Sequence, residues 1–408
     1  MKSLLRPAWE RVWQSFFRPE TGLFYDYLSS LPDLGHLPTP EEIARCFPNP
    51  CGWGTGMEDG MLSAGAAMDI LRLRRELAHD PDTVGQAEAV LTGICRAATV
   101  HGTPGFLARS ISPKDGKSCY LNSSRDQFTL GVYGAWRFLR HFPDASPAAR
   151  DAVRALLASV ARYCEKVVTP ENRYDLLRLD GKPALVSTVW DAAPHEMLRL
   201  PMFYAAAWEA TGDEHWRRLA LRYALPGVAA TLTMNRANLW WWDITVSQMQ
   251  ISLALLDSVD LGDAELHRQY RTAMRMTSRH AAELLEKALT EAERFSGDWT
   301  AHAPDWRTCE MRPLANPPSP SGDGLYYGFR CDTPVRPEPF RQVMELTRGL
   351  GNLVFTLALD PAEKIAPETR ARFRAVLERM DFSHMASGGL LQLQQGAWAL
   401  QLKTGETI

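Results

Sequence analysis

Two kinds of helical segment alternate along this chain, and that alternation constrains the fold more than any other feature. One kind is apolar nearly all round and rich in Gly and Ala, as in Gly60–Asp69, Phe128–Trp136 and Leu200–Trp208. The other is two-faced, with Arg and Glu on one side, as in Ala148–Lys166 and Glu265–Glu291. A helix that is apolar all round must be buried, whereas a two-faced helix lies outside with one face to solvent. Apolar spacing at i, i+3, i+4, i+7 and the residues that start and stop helices predict helices at 4–17, 57–77, 83–100, 124–142, 147–168, 194–211, 213–233, 243–258, 263–291, 338–359, 366–380 and 387–402. No credible run of alternating strands interrupts them. Six alternations of outer and inner helix describe an all-α (α/α)6 barrel, a closed double ring built as one domain over residues 1–408. Inner segments begin near 58, 125, 195, 245, 340 and 388, as expected of a repeated unit that cannot bury its own apolar face. An open α-solenoid would share this logic, but the long irregular loops argue against it.

Composition narrows the function. With 45 Lys+Arg against 48 Asp+Glu the net charge is −3, which gives no electrostatic footprint for nucleic acid. No apolar stretch is long enough to span a membrane. The seven Cys are irregularly spaced and read as reduced thiols; Cys46 and Cys51 are close, but no zinc-type set completes them. Arg6, Glu10 and Arg11 interrupt any signal-peptide core, so the expected compartment is the cytoplasm. No P-loop, nucleophile elbow or dinucleotide fingerprint is found, and neither a metal nor a cofactor is expected. The composition allows a homodimer without pointing to one. The unusual feature is 13 Trp, nearly as many as the 15 Phe. Trp299, Trp306, Tyr326, Tyr327 and Phe329 fall in a long segment, 292–337, which reads as an aromatic flap over the barrel mouth.

If inner and outer helices alternate, the inner ones all point the same way and their N-termini gather at one end. The residues at those starts are Glu58-Asp59, Arg125-Asp126-Gln127, Trp190-Asp191 leading to His195-Glu196, and Trp242-Asp243. Each brings an acid. N-capping alone would explain any single one, because Asp is a preferred cap and acids suit the positive end of a helix. Four at one rim, with aromatics beside them, point instead to a cleft that uses carboxylates. Two carboxylates across a cleft cleave a glycosidic bond: one protonates the leaving oxygen and the other activates water or attacks the anomeric carbon. Glu58 beside Asp59 supplies the like charge, and Trp53 or Trp136 the desolvation, that a general acid needs. Arg109, Lys114 and Arg125 near the mouth suit a uronate, since guanidinium reads carboxylate with two parallel bonds. Trp53, Trp190, Trp240, Trp241, Trp242, Trp299, Trp306 and Tyr326 are candidates for stacking on sugar rings. His195 beside Glu196 is a candidate acid or base near neutral pH or, equally, a satisfied structural histidine.

These residues resemble the six-hairpin glycosidase superfamily, nearest to the unsaturated glucuronyl and rhamnogalacturonyl hydrolases of glycoside hydrolase families 88 and 105 and related glucuronidases. The resemblance rests on Met57-Glu-Asp59-Gly-Met61, on Arg125-Asp126-Gln127 and on Leu198–Asp213, and it covers the helical layout of most of the chain. It implies Asp126 as general acid/base, with Asp59 or Glu58 as partner. It also implies an oligosaccharide substrate ending in a uronate; Arg109, Arg125, Gln127, Glu196 and Asp243 are the residues expected around it from their own positions and chemistry. The doubled Met that commonly follows that Asp is replaced here by Gln127-Phe128-Thr129, so a saturated glucuronide is equally compatible. A sugar epimerase or isomerase using His195 and His384, a uronate-specific polysaccharide lyase and a non-catalytic helical scaffold are the competing readings.

Overall fold

A computed structural model describes residues 4–234, 242–308, 311–313, 327–329 and 340–408. It is mostly helical. Six helices are buried along nearly their whole circumference: α3 (Gly60–Ala78), α5 (Arg125–His141), α7 (Arg199–Thr211), α9 (Asp243–Ser258), α11 (Phe340–Leu359) and α13 (Gly389–Thr404). Between them come α1 (Leu5–Ser15), α4 (Thr83–Ala97), α6 (Pro147–Val167), α8 (Glu214–Thr233), α10 (Ala264–Arg294) and α12 (Pro367–Leu377), which bury one face each. In α10 the buried residues Leu266, Tyr270, Ala273, Thr277, Ala281, Leu285 and Leu289 recur every three or four positions, the stripe of a helix lying on a core. Each fully buried Leu of this kind contributes about 1.5–3 kcal/mol.

The buried helices touch one another in a skipping order. α3 packs on α5, α5 on α7, α7 on α9, α9 on α11, α11 on α13, and α13 returns to α3. α1 lies against α13. One continuous apolar core runs through all of them. Two of the contacts are made backbone to backbone. A Cβ on Gly65 of α3 would stand 2.1 Å from the Leu130 carbonyl oxygen of α5, and one on Gly396 of α13 would stand 2.4 Å from the Gly351 carbonyl oxygen of α11. Only glycine permits so close an approach.

Several details were not expected. A short helix, α2 (Pro40–Ala44), has a capping box in which Thr39 and Glu42 bond each other's backbone N–H. Three two-stranded antiparallel sheets occur among the described residues: β1 (Phe17–Arg18) with β2 (Leu23–Phe24), β3 (Asp175–Leu177) with β4 (Pro183–Thr188), and β5 (Met311–Pro313) with β6 (Tyr327–Phe329). Strands this short leave no alternating pattern to read. α7 begins five residues later than expected, because Pro194–Glu196 forms a separate 3-10 turn.

The segment after α10 is not a loose flap in its described part. Trp299 is buried edge-on against Phe295 with ring centroids 4.5 Å apart. Trp306 is fully buried and donates from Nε1 to the His36 carbonyl oxygen at 2.6 Å. Arg307 reinforces that seam with two bonds to the Glu42 carboxylate, at 2.8 and 2.7 Å. Both indoles therefore belong to the core and not to a sugar platform. Trp240, Trp241 and Tyr326 lie outside the described residues. No described helix is long and apolar enough to cross a membrane.

Candidate active site

Residues of α3, α5, α9, α11 and α13 line a narrow cleft. Its lining includes Asp59, Leu62 and Ser63 of the α3 start, Leu130 of α5, Ser247 and Gln248 of α9, Arg348 and Asn352 of α11, and Gln392 and Gln395 of α13. Asp26, from the segment after β2, faces the same space.

Helix capping and site chemistry compete for the acids at these helix starts, and hydrogen bonding separates the two. The outer helices α6, α8 and α10 are capped by Ser146, Asp213 and Asp263, each accepting from a backbone N–H. The buried helices α3, α5, α7, α9 and α13 have no side-chain cap. Their polar side chains bond across to the next helix instead. Gln127 Nε2 donates to Asp59 Oδ1 at 2.7 Å, and Arg109 donates to the same oxygen at 3.3 Å. Gln127 Oε1 accepts from Leu62 N at 2.9 Å, so one side-chain amide fastens the starts of α3 and α5 together. Arg199 of α7 stands 3.4 Å from Asp126 Oδ1 and donates to Thr129 Oγ1 at 2.7 Å and to the Gln248 side-chain oxygen. Asn352 Nδ2 donates to Asp243 Oδ2 at 2.8 Å, joining α9 to α11.

A buried ionic cluster supports this rim. Arg199 Nε donates to Glu196 Oε2 at 2.6 Å, and the two side chains are only 2% and 3% exposed. Arg125 lies 2.8 Å and His195 Nε2 3.2 Å from the other Glu196 oxygen. Burial alone would push the Glu196 carboxyl up, but Arg199, His195 and Arg125 hold it down at about 2. Glu196 is thus a fixed anion that positions the two arginines. His195 is bound up with it, away from the cleft lining.

Other expected site residues divide. Asp59 lines the cleft; Asp126 is not among the lining residues and lies 3.4 Å from Arg199, its side chain 26% exposed. Trp53 keeps company with them, its ring 6.0 Å below the Arg109 guanidinium. Glu58 is folded back, buried, and accepts from Gly56 N at 2.9 Å; that closes the Gly-rich loop and does not reach into the cleft. Trp190 packs edge-on against Tyr223 of α8 at 4.7 Å and is not among the cleft-lining residues. Trp136 donates to Glu209 at 2.8 Å, ten residues along α5 from Asp126, too far to desolvate that acid. Lys114 is spent on the Leu37 carbonyl oxygen at 2.7 Å. His384 is 73% exposed beside Asp381, apart from His195. Trp242 is half exposed at the start of α9.

Arg199, Gln248, Asn352, Gln392, Gln395, Asp26 and Arg348 were not anticipated. A usable signal existed for most of them: a long polar side chain inside a helix that is otherwise apolar all round needs a reason to be buried. No protein-family model matches the chain, and a search of curated proteins returns no match.

Proposed function

We propose that this chain is a glycoside hydrolase of the six-hairpin kind, an (α/α)6 barrel that removes a terminal glucuronic or unsaturated glucuronic acid from an acidic oligosaccharide. The circuit of contacts from α3 through α13 and back supports the barrel. One observation carries the catalytic reading: Gln127, the neighbour of Asp126, is hydrogen-bonded to Asp59. Each of these two successive buried helices brings an acid at its start that does not cap the helix, and Asp59 lines the cleft.

In this reading Asp126 protonates the bridging oxygen as its bond to the anomeric carbon breaks. Water then joins that carbon, giving up a proton to a carboxylate. Asp59, held by Gln127 and Arg109, is the partner acid. For an unsaturated uronide the same proton goes to the sugar double bond and water adds to the carbon next to it. Trp53 flanks the ring.

The test is Asp126→Asn assayed on a panel of glucuronides. The variant should keep the wild-type melting curve and lose most turnover; full activity would overturn the assignment. Product analysis separates the rivals. A released uronic acid supports hydrolysis, a new hexose isomer an isomerase, and a rise in ultraviolet absorbance a lyase.

A further inference from the structure

Four arginines stand around the cleft, and they are not equivalent. Arg109 is committed to Asp59, Arg125 to Glu196, and Arg199 to Glu196, Asp126, Thr129 and Gln248. Arg348, on the third turn of α11, lines the cleft itself. Among the described residues its one ionic partner is Asp243, with Nε 3.5 Å from Oδ2, too long for a good hydrogen bond. Its side chain is 33% exposed. Asp243 is in turn held by Asn352, another lining residue.

We infer that Arg348, and not Arg109 or Arg125, recognises the carboxylate of the sugar in the cleft. This rests on the hydrolase reading for the identity of the sugar and adds where its anionic group sits. Asp243 stands beside Nε, and in this proposal the terminal nitrogens make two parallel bonds to the carboxylate. The rest of the lining reinforces the choice. Asp26 and Asp59 repel a carboxylate, while Ser63, Ser247, Gln248, Asn352, Gln392 and Gln395 are neutral. An anionic group in this cleft has one favourable position, against α11. The sugar hydroxyls fall to the amides and serines.

The experiment titrates D-glucuronate and D-glucose into the wild-type chain, Arg348→Gln and Arg348→Lys, with melting curves as the folding control. Wild type should prefer glucuronate. Arg348→Gln should weaken glucuronate binding about ten- to a hundredfold, the range for losing hydrogen bonds to a charged group, and bring it to the level of glucose. Arg348→Lys should recover part of the loss, which a purely packing role would not predict. KM for a glucuronide should rise in parallel, with a smaller change in kcat. Wild type without a preference for glucuronate, or Arg348→Gln with the wild-type preference, overturns the inference. Hydrolysis separates the two claims. If glucuronides are cleaved and Arg348→Gln keeps its KM, Arg348 is wrong and the hydrolase stands. If glucuronate binds through Arg348 and no glycoside is cleaved, the reverse holds.

Discussion

Gln127 Nε2 lies 2.7 Å from Asp59 Oδ1, and the opposite end of the same amide accepts from Leu62 N at 2.9 Å. A single side chain of α5 thus satisfies both the acid before α3 and a backbone donor in its first turn. Gln127→Met keeps the volume and removes both bonds. The expected cost is about 1–3 kcal/mol, from a buried donor left without a partner. Urea unfolding measures it, and turnover should fall further than stability alone explains, because Asp59 loses its fixed orientation.

Arg199 and Glu196 should behave as one unit. Arg199→Met removes the nearest cation from a carboxylate that is almost wholly buried, at a cost of about 3–5 kcal/mol. Adding Glu196→Gln should return part of that loss, because the uncompensated charge goes with it. A double-mutant cycle on denaturation midpoints measures the coupling. Strict additivity would refute the cluster as a unit.

Acid stability carries two signatures. His36 is fully buried, stacked on Tyr27 with ring centroids 5.3 Å apart, and burial pulls its pKa from 6.5 down to about 4. The unfolded chain takes up this proton first, so the stability that neutral His36 provides is complete above pH 6.5 and drains as pH falls towards 4. The loss is on the order of 3 kcal/mol. His36→Phe keeps the stack and should flatten that part of a stability–pH curve. Glu196 acts lower, with its contribution complete above 4.5 and lost as pH falls towards 2.

Gly65→Ala tests the close packing of α3 on α5. The added Cβ would meet the Leu130 carbonyl oxygen at 2.1 Å, so the helices must separate. Overpacking of this kind costs about 1–3 kcal/mol. Melting should shift down, and activity should drop with it if the spacing of α3 and α5 sets the distance between Asp59 and Asp126.

The layout of helices was legible because burial writes itself into apolar periodicity: α9 runs over 243–258, the span its sequence predicts. Acids at helix starts were legible too, since their positions follow from the helix boundaries. Partners were not. Nothing local to Glu58 says that it folds back onto Gly56, and nothing local to Asp59 says that Gln127 reaches it from 68 residues away. The excess of Trp misled for the same reason. Trp190 and Trp306 sit in connecting segments, yet each packs on a distant part of the chain, and Trp299 is buried against Phe295.

The return of α13 onto α3 has a kinetic meaning. Gln395 donates to the Asp69 carboxylate across 326 residues of sequence, and Gln392 and Gln395 complete the cleft wall. During synthesis α3 therefore leaves the ribosome with an apolar surface whose final neighbour does not yet exist. Contacts so distant in sequence slow folding and prolong exposure of sticky intermediates. Chaperone dependence and inclusion bodies on fast expression are the expected outcome, and slower translation or lower temperature should raise the yield of native protein.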